Sequence, residues 1–96
     1  MRILLTGFEP FGGSPTNPSQ RVIQYLTANP PAGIELHTAI LPVEHLRGPQ
    51  ALVEAIERCQ PQAVVCLGEA SGRAAISIER VAVNLIDDTI PDNAGE

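Results

Sequence analysis

Lysine is absent from the 96 residues, and the six basic side chains are all arginines set against eleven acids, for a net charge of -5. Nucleic acid and anionic membranes are held by clustered basic side chains whose binding releases counterions, so this balance makes both poor partner candidates, and neither is expected. The acid excess is also local. Asp87, Asp88, Asp92 and Glu96 fall in the last ten residues with no base among them, which leaves the body of the chain close to neutral. Long apolar runs are missing as well. Arg2 followed by Ile3, Leu4 and Leu5 stops at Thr6-Gly7, short of a signal-peptide core of ~7–15 residues. Nothing approaches the ~18 apolar residues of a membrane span, so a soluble, cytoplasmic chain is expected. Cysteine is scarce, with Cys59 and Cys66 alone. Two cysteines at this spacing make neither a metal site nor a disulfide framework, and each sits in an apolar pattern that predicts a buried thiol.

A hydrophobic share of 44% is that of a globular chain, and 96 residues suffice for a single small unit, 1–96, without internal linker or repeat. RILLTG reads as a short strand buried on both sides, ending at Gly7. Asn17-Pro18 marks a helix start, because Asn caps free N–H groups and Pro is pre-set for the first turn. Val22, Ile23 and Leu26 give that helix an apolar side, and Asn29-Pro30-Pro31 ends it. Ile34 to Leu41 alternates as a second strand, with Ile34, Leu36, Thr38 and Ile40 on one face. A second helix is expected from about Pro49, with Leu52, Ala55, Ile56 and Cys59 at helical spacing and Pro61 as its stop. AVVCL, Ala63 to Leu67, predicts a third buried strand. Strand, helix, strand, helix, strand is a βαβαβ half of a doubly wound α/β sheet, whose ligands bind at the C-terminal strand ends. Val81 to Leu85 reads as a further strand. No covering helix follows it, so a second half of the domain is expected.

Two irregular segments leave those strand ends. Phe8 to Thr16 follows the first strand and precedes a helix N-terminus, but GFEPFGG matches neither the dinucleotide fingerprint nor Walker A, which leaves phosphate binding poorly supported. Phe8 and Phe11, the only phenylalanines, either fold back on the core or wall a flat apolar pocket. The other segment, GEASGRAAISIERVAVN, holds a break in alternation: Ile76 and Ile78 are even, whereas Val81, Val83 and Leu85 are odd. One strand cannot bury both sets on one face, so a bulge or bend is expected at Glu79-Arg80. A solvated Glu-Arg pair is the plainer account of that junction, and a carboxylate re-aimed for chemistry is the other. His37 and His45 read as solvated. No Ser-His-Asp, Cys-His or metal set can be assembled, and no cofactor is called for.

TGFEPFGGSPTNPS and GEASGRAAISIERVAVNLIDDTIPDNAG, with the spacing between them, resemble the two N-terminal signature regions of the pyroglutamyl-peptidase I family, the pyrrolidone-carboxylate peptidases. The resemblance covers the whole chain and implies the N-terminal half of a cysteine peptidase that removes an N-terminal pyroglutamyl residue from peptides. It implies a three-layer α/β/α fold with a largely parallel, mixed sheet of the phosphorylase/hydrolase-like kind, and a homotetramer in the full-length form. Carried over by position, Glu79 matches the catalytic glutamate that orients a general-base histidine, and Phe8 and Phe11 match aromatics enclosing the lactam ring. Asn17 matches a position near the ring's polar edge, where its role as helix cap is equally served.

Glu69 stands where the family usually has glutamine, and Thr89 where many relatives carry arginine. The resemblance places Glu69 at the substrate: if only its backbone serves there the change is harmless, but if the side-chain amide donates, an ionised carboxylate cannot. The family's nucleophilic cysteine and histidine belong to later motifs, so Cys59, Cys66, His37 and His45 do not fill those roles and the 96 residues alone are expected to be inactive. The alternative is a non-catalytic homologue that binds pyroglutamyl ends or a partner chain. A nucleoside-type phosphorylase rests on fold analogy alone.

Overall fold

The computed structural model describes residues 1–83, 85 and 90–96. Strand β1 (Arg2–Phe8), helix α1 (Pro18–Ala28), strand β2 (Glu35–Leu41), helix α2 (Arg47–Cys59) and strand β3 (Ala63–Cys66) follow in order. The strands form one parallel sheet in the order β2-β1-β3. Each parallel neighbour is reached through a helix, as such pairing requires.

The register settles which faces the helices cover. Leu5 pairs with Thr38 and Gly7 with Ile40, so these share a face, while Leu4, Thr6, Phe8 and Leu41 share the other. Helix α1 packs on the first: the Thr27 hydroxyl lies 3.2 Å from that of Thr38, and a Cβ on Gly7 would fall 2.8 Å from the Ser19 carbonyl oxygen. Gly7 is therefore glycine because the backbone of α1 comes too close for any side chain. Helix α2 packs on the second face, where Gly48 presses against the Pro42 carbonyl. A sheet with a helix on each side is the three-layer arrangement expected. Leu4, Leu5, Ile23, Leu41 and Ala55 are its buried apolar core, with Thr6 fully enclosed among them.

The caps of α1 fall where the sequence places them. Asn17 is the N-cap and accepts from the Ser19 N–H, Pro18 opens the helix, and Asn29 closes it. Helix α2 begins at Arg47, two residues before the expected Pro49. Proline is tolerated in a first turn because the N–H it lacks has no intrahelical acceptor, so Pro49 was a poor marker of the boundary. At the N-terminal edge of the sheet Glu35 joins Arg2 at 2.6 Å and His37 at 2.7 Å. Those contacts hold the Glu35 carboxyl below the usual range, the His37 hydrogen bond contributing most and Arg2 next.

Three expectations fail beyond β1. Strand β3 touches only β1 among the described elements, so its residues are not enclosed: Val64 and Val65 are exposed, and so is Cys66, which was expected to be buried. Cys59 is half-buried. Residues 81–83 and 85 carry no strand, and Asn84 lies outside the described residues. Nor is there a bulge at Glu79-Arg80, because Ile76 and Ile78 are almost fully exposed at 99% and 91% and pair with no ladder. Alternation shows that a segment suits a strand, but a strand also needs a neighbour to take its N–H and C=O groups.

Candidate functional site

The C-terminal ends of β1 and β2 open onto a groove of about 540 Å³. Phe8 and Leu41, the last residues of the two strands, form its floor with Val43, while Gly48, Pro49 and Leu52 of α2 form one wall. Val83 and Leu85 also line it while remaining largely exposed, and Glu44 and His45 are the polar residues of the lining. The lining is mostly apolar with a few polar groups at the edge, the composition of a small-molecule site. Its position is the one that parallel α/β sheets use for ligands.

Phe8 is thus the last residue of β1, half-buried and facing the groove. Phe11 is half-buried in the following loop and does not line the groove. Asn17 is buried, with every polar atom of its side chain engaged: Oδ1 accepts from the Ser19 N–H at 3.0 Å and the Ser19 hydroxyl at 2.7 Å, and Nδ2 donates to the Glu9 carbonyl at 3.0 Å. The Ser19 hydroxyl in turn accepts from the Phe8 N–H at 2.9 Å, so the helix cap and the end of β1 are one network. Glu69 is exposed. Glu79 is exposed and paired with Arg73 at 3.1 Å rather than with the adjacent Arg80, with 75% of its side chain in water. An ion pair so open to solvent holds its partners weakly. Thr89, like Asp87 and Asp88, lies outside the described residues. Among the described residues no cluster of three or more His, Cys, Asp or Glu could hold a metal. No described helix is long and apolar enough to cross a membrane.

The structure brings to the groove's edge residues to which the sequence assigned no role there. His45 lies on the groove rim, with its backbone N–H donating to Asp92 Oδ2 at 2.7 Å. Asp92 also accepts from the Ala94 and Glu96 N–H groups, and these backbone bonds, that of His45 foremost, hold its carboxyl below the ordinary aspartate range. Asn93 and Glu9 meet beside it at 3.1 Å. Asp-Asn-Ala-Gly signals a turn in sequence, but a turn signal does not say which loop the turn docks against.

A three-layer α/β unit with an apolar groove at its C-terminal strand ends belongs to the broad class of α/β enzymes and binding domains. The comparisons narrow it: the pyroglutamyl peptidase family model matches residues 1–96, and the chain belongs to that family. It is 53% identical over 96 residues to the pyrrolidone-carboxylate peptidase of Gloeobacter violaceus, covering all of this chain and 47% of that relative. Its identity to the Pyrococcus furiosus peptidase is 42%, across 46% of that protein. The crystal structure of the pyrrolidone carboxyl peptidase of Fervidobacterium islandicum AW-1 superposes with a TM-score of 0.96 at 44% identity, covering all of this chain and 46% of that one. Bacillus amyloliquefaciens pyroglutamyl peptidase I gives 0.92 at 38%, across 99% of this chain and 46% of that one. The chain spans about half the length of the curated relatives it matches, the N-terminal half.

Proposed function

We propose that the chain is the N-terminal half of a cysteine peptidase that hydrolyses the pyroglutamyl residue from the N-terminus of peptides. The observation that carries this reading is the apolar groove floored by Phe8 at the C-terminal end of β1, in a chain of the pyroglutamyl peptidase family. A lactam ring is flat and uncharged, and an apolar groove takes it at little desolvation cost. An ordinary amino terminus would have to strip water from its ammonium, which costs several kcal/mol or more when unpaired. Phe8 contacts the ring, Phe11 stiffens the loop behind it, and Asn17 fixes the end of β1 through Ser19. Glu69 serves the substrate through its backbone, since its carboxylate cannot donate.

Amide hydrolysis by a thiol needs a base for the thiol proton and a group that orients that base. Glu79 is the orienting carboxylate in this reading, released from its solvent-screened pair with Arg73 to a histidine from the remainder of the enzyme. The thiol comes from there too. No cofactor enters, the full-length form is a cytoplasmic homotetramer, and the substrates are peptides with a pyroglutamyl end.

Incubated with a pyroglutamyl amide, the 96 residues are expected to show no thiol-dependent turnover, and turnover would overturn this division of roles. In a full-length form, Glu79→Gln is expected to fold normally and lose about 10²-fold or more in kcat, because a neutral amide does not stabilise imidazolium. A second reading is favoured by one observation: the groove forms within these 96 residues. That reading is a non-catalytic homologue that binds pyroglutamyl ends, and it requires the full gene product to bind a pyroglutamyl amide without hydrolysing it.

A further inference from the structure

Three segments far apart in sequence are closed into a ring of hydrogen bonds beside the groove. The Val43 N–H donates to Glu9 Oε1 at 3.2 Å, Asn93 Nδ2 donates to the same oxygen at 3.1 Å, and the Asn93 N–H donates to the Val43 carbonyl at 2.8 Å. Asn93 Nδ2 also reaches the Pro10 carbonyl at 2.9 Å. Glu9 is bound through its backbone as well, donating to the Leu41 carbonyl at 3.1 Å and accepting from Asn17 Nδ2 at 3.0 Å. One residue between Phe8 and Phe11 is therefore tied to the end of β2, to the N-cap of α1 and to the segment around Asn93.

We propose that Glu9 and Asn93 are positioning residues that fix the Phe8–Phe11 loop and thereby the shape of the groove. Their bonds cross between the only two loops that leave the C-terminal ends of β1 and β2, and Val43, which both of them grip, lines the groove itself. Glu9 acts as an acceptor, and both donors converge on one oxygen. An amide oxygen can receive the same two bonds, whereas a methyl group receives neither. Substrate binding in this proposal rests on the pyroglutamyl reading above, but the position of the loop does not.

The chain offers a direct probe, because Phe8 and Phe11 are its only phenylalanines. Labelled with 4-fluorophenylalanine, it gives two fluorine resonances, one at the end of β1 and one in the loop that follows. Asn93→Ala and Glu9→Ala are expected to shift and broaden both resonances and to weaken pyroglutamamide affinity about tenfold, the scale of losing bonds to a charged acceptor. Glu9→Gln is expected to keep the resonances and to bind within about threefold of the parent, since the amide oxygen keeps both bonds at roughly half their strength. Far-ultraviolet circular dichroism of each variant separates loop release from unfolding. Resonances unchanged in both alanine variants would overturn the proposal, as would a Glu9→Gln spectrum that matches Glu9→Ala in a folded chain. If the resonances move as stated while the parent binds no pyroglutamamide, the clamp stands and the pyroglutamyl reading fails.

Discussion

At the scale of single residues, Thr6 is the clearest departure from economy. It is completely buried in the central strand, and its hydroxyl has no hydrogen-bond partner among the described residues. An unpaired buried hydroxyl costs on the order of 1–3 kcal/mol, and valine has nearly the same shape without it. Thr6→Val is expected to raise stability by about 1 kcal/mol, read as a higher urea midpoint at an unchanged slope. A lower midpoint would show that the hydroxyl has a partner in the folded chain. Glu79 makes the opposite point. Its carboxylate is in water and loosely paired, which leaves it free to serve a second group.

At the scale of elements, the C-terminus of α2 carries backbone strain that the sequence conceals. Gln60 closes the helix at φ 50°, the only non-glycine at positive φ among the described residues. A left-handed conformation costs a residue with a Cβ about 1–2 kcal/mol, and glycine adopts it freely. Gln60→Gly is expected to stabilise the chain by about 0.5–1 kcal/mol in thermal or urea unfolding, with loss of the side-chain bond to the Glu57 carbonyl as the opposing effect. A net loss of stability would mean that this bond outweighs the strain.

The same scale shows what was legible in the sequence. Caps and breakers act locally, so Asn17-Pro18, Asn29-Pro30 and the three β strands were readable from their own neighbourhoods. The burial of β3 was not, because Val64, Val65 and Cys66 form an apolar run whether or not anything covers them. The break around Glu79 pointed to a residue worth attention for a reason the structure does not bear out, since no ladder runs through it. The groove's floor was half visible: Phe8 stood out by rarity, while Glu9, Val43 and Asn93 become neighbours only when the chain folds.

At the scale of the whole molecule, the 96 residues hold the family's shape over their full length while covering less than half of the relatives' chains. What they build by themselves is one sheet with a helix on each face and a groove at its C-terminal end. What they leave open is the far side of β3 and the apolar residues from Ile76 to Leu85. Ring recognition and chemistry are thereby separable in this account. Under the proposed function, ring recognition rests on the β1 and β2 ends, and of the bond-breaking groups these residues would hold only Glu79.

That separation is tested most directly by titrating the ¹⁵N-labelled chain with pyroglutamamide and, in parallel, with glutaminamide, which carries a charged amino end in place of the ring. The account predicts saturable amide shifts at Phe8, Leu41 and Val43 with the lactam and little response to the ammonium compound. Equal responses to the two compounds, or shifts confined to the Arg2–Glu35 edge at the other end of the sheet, would contradict it.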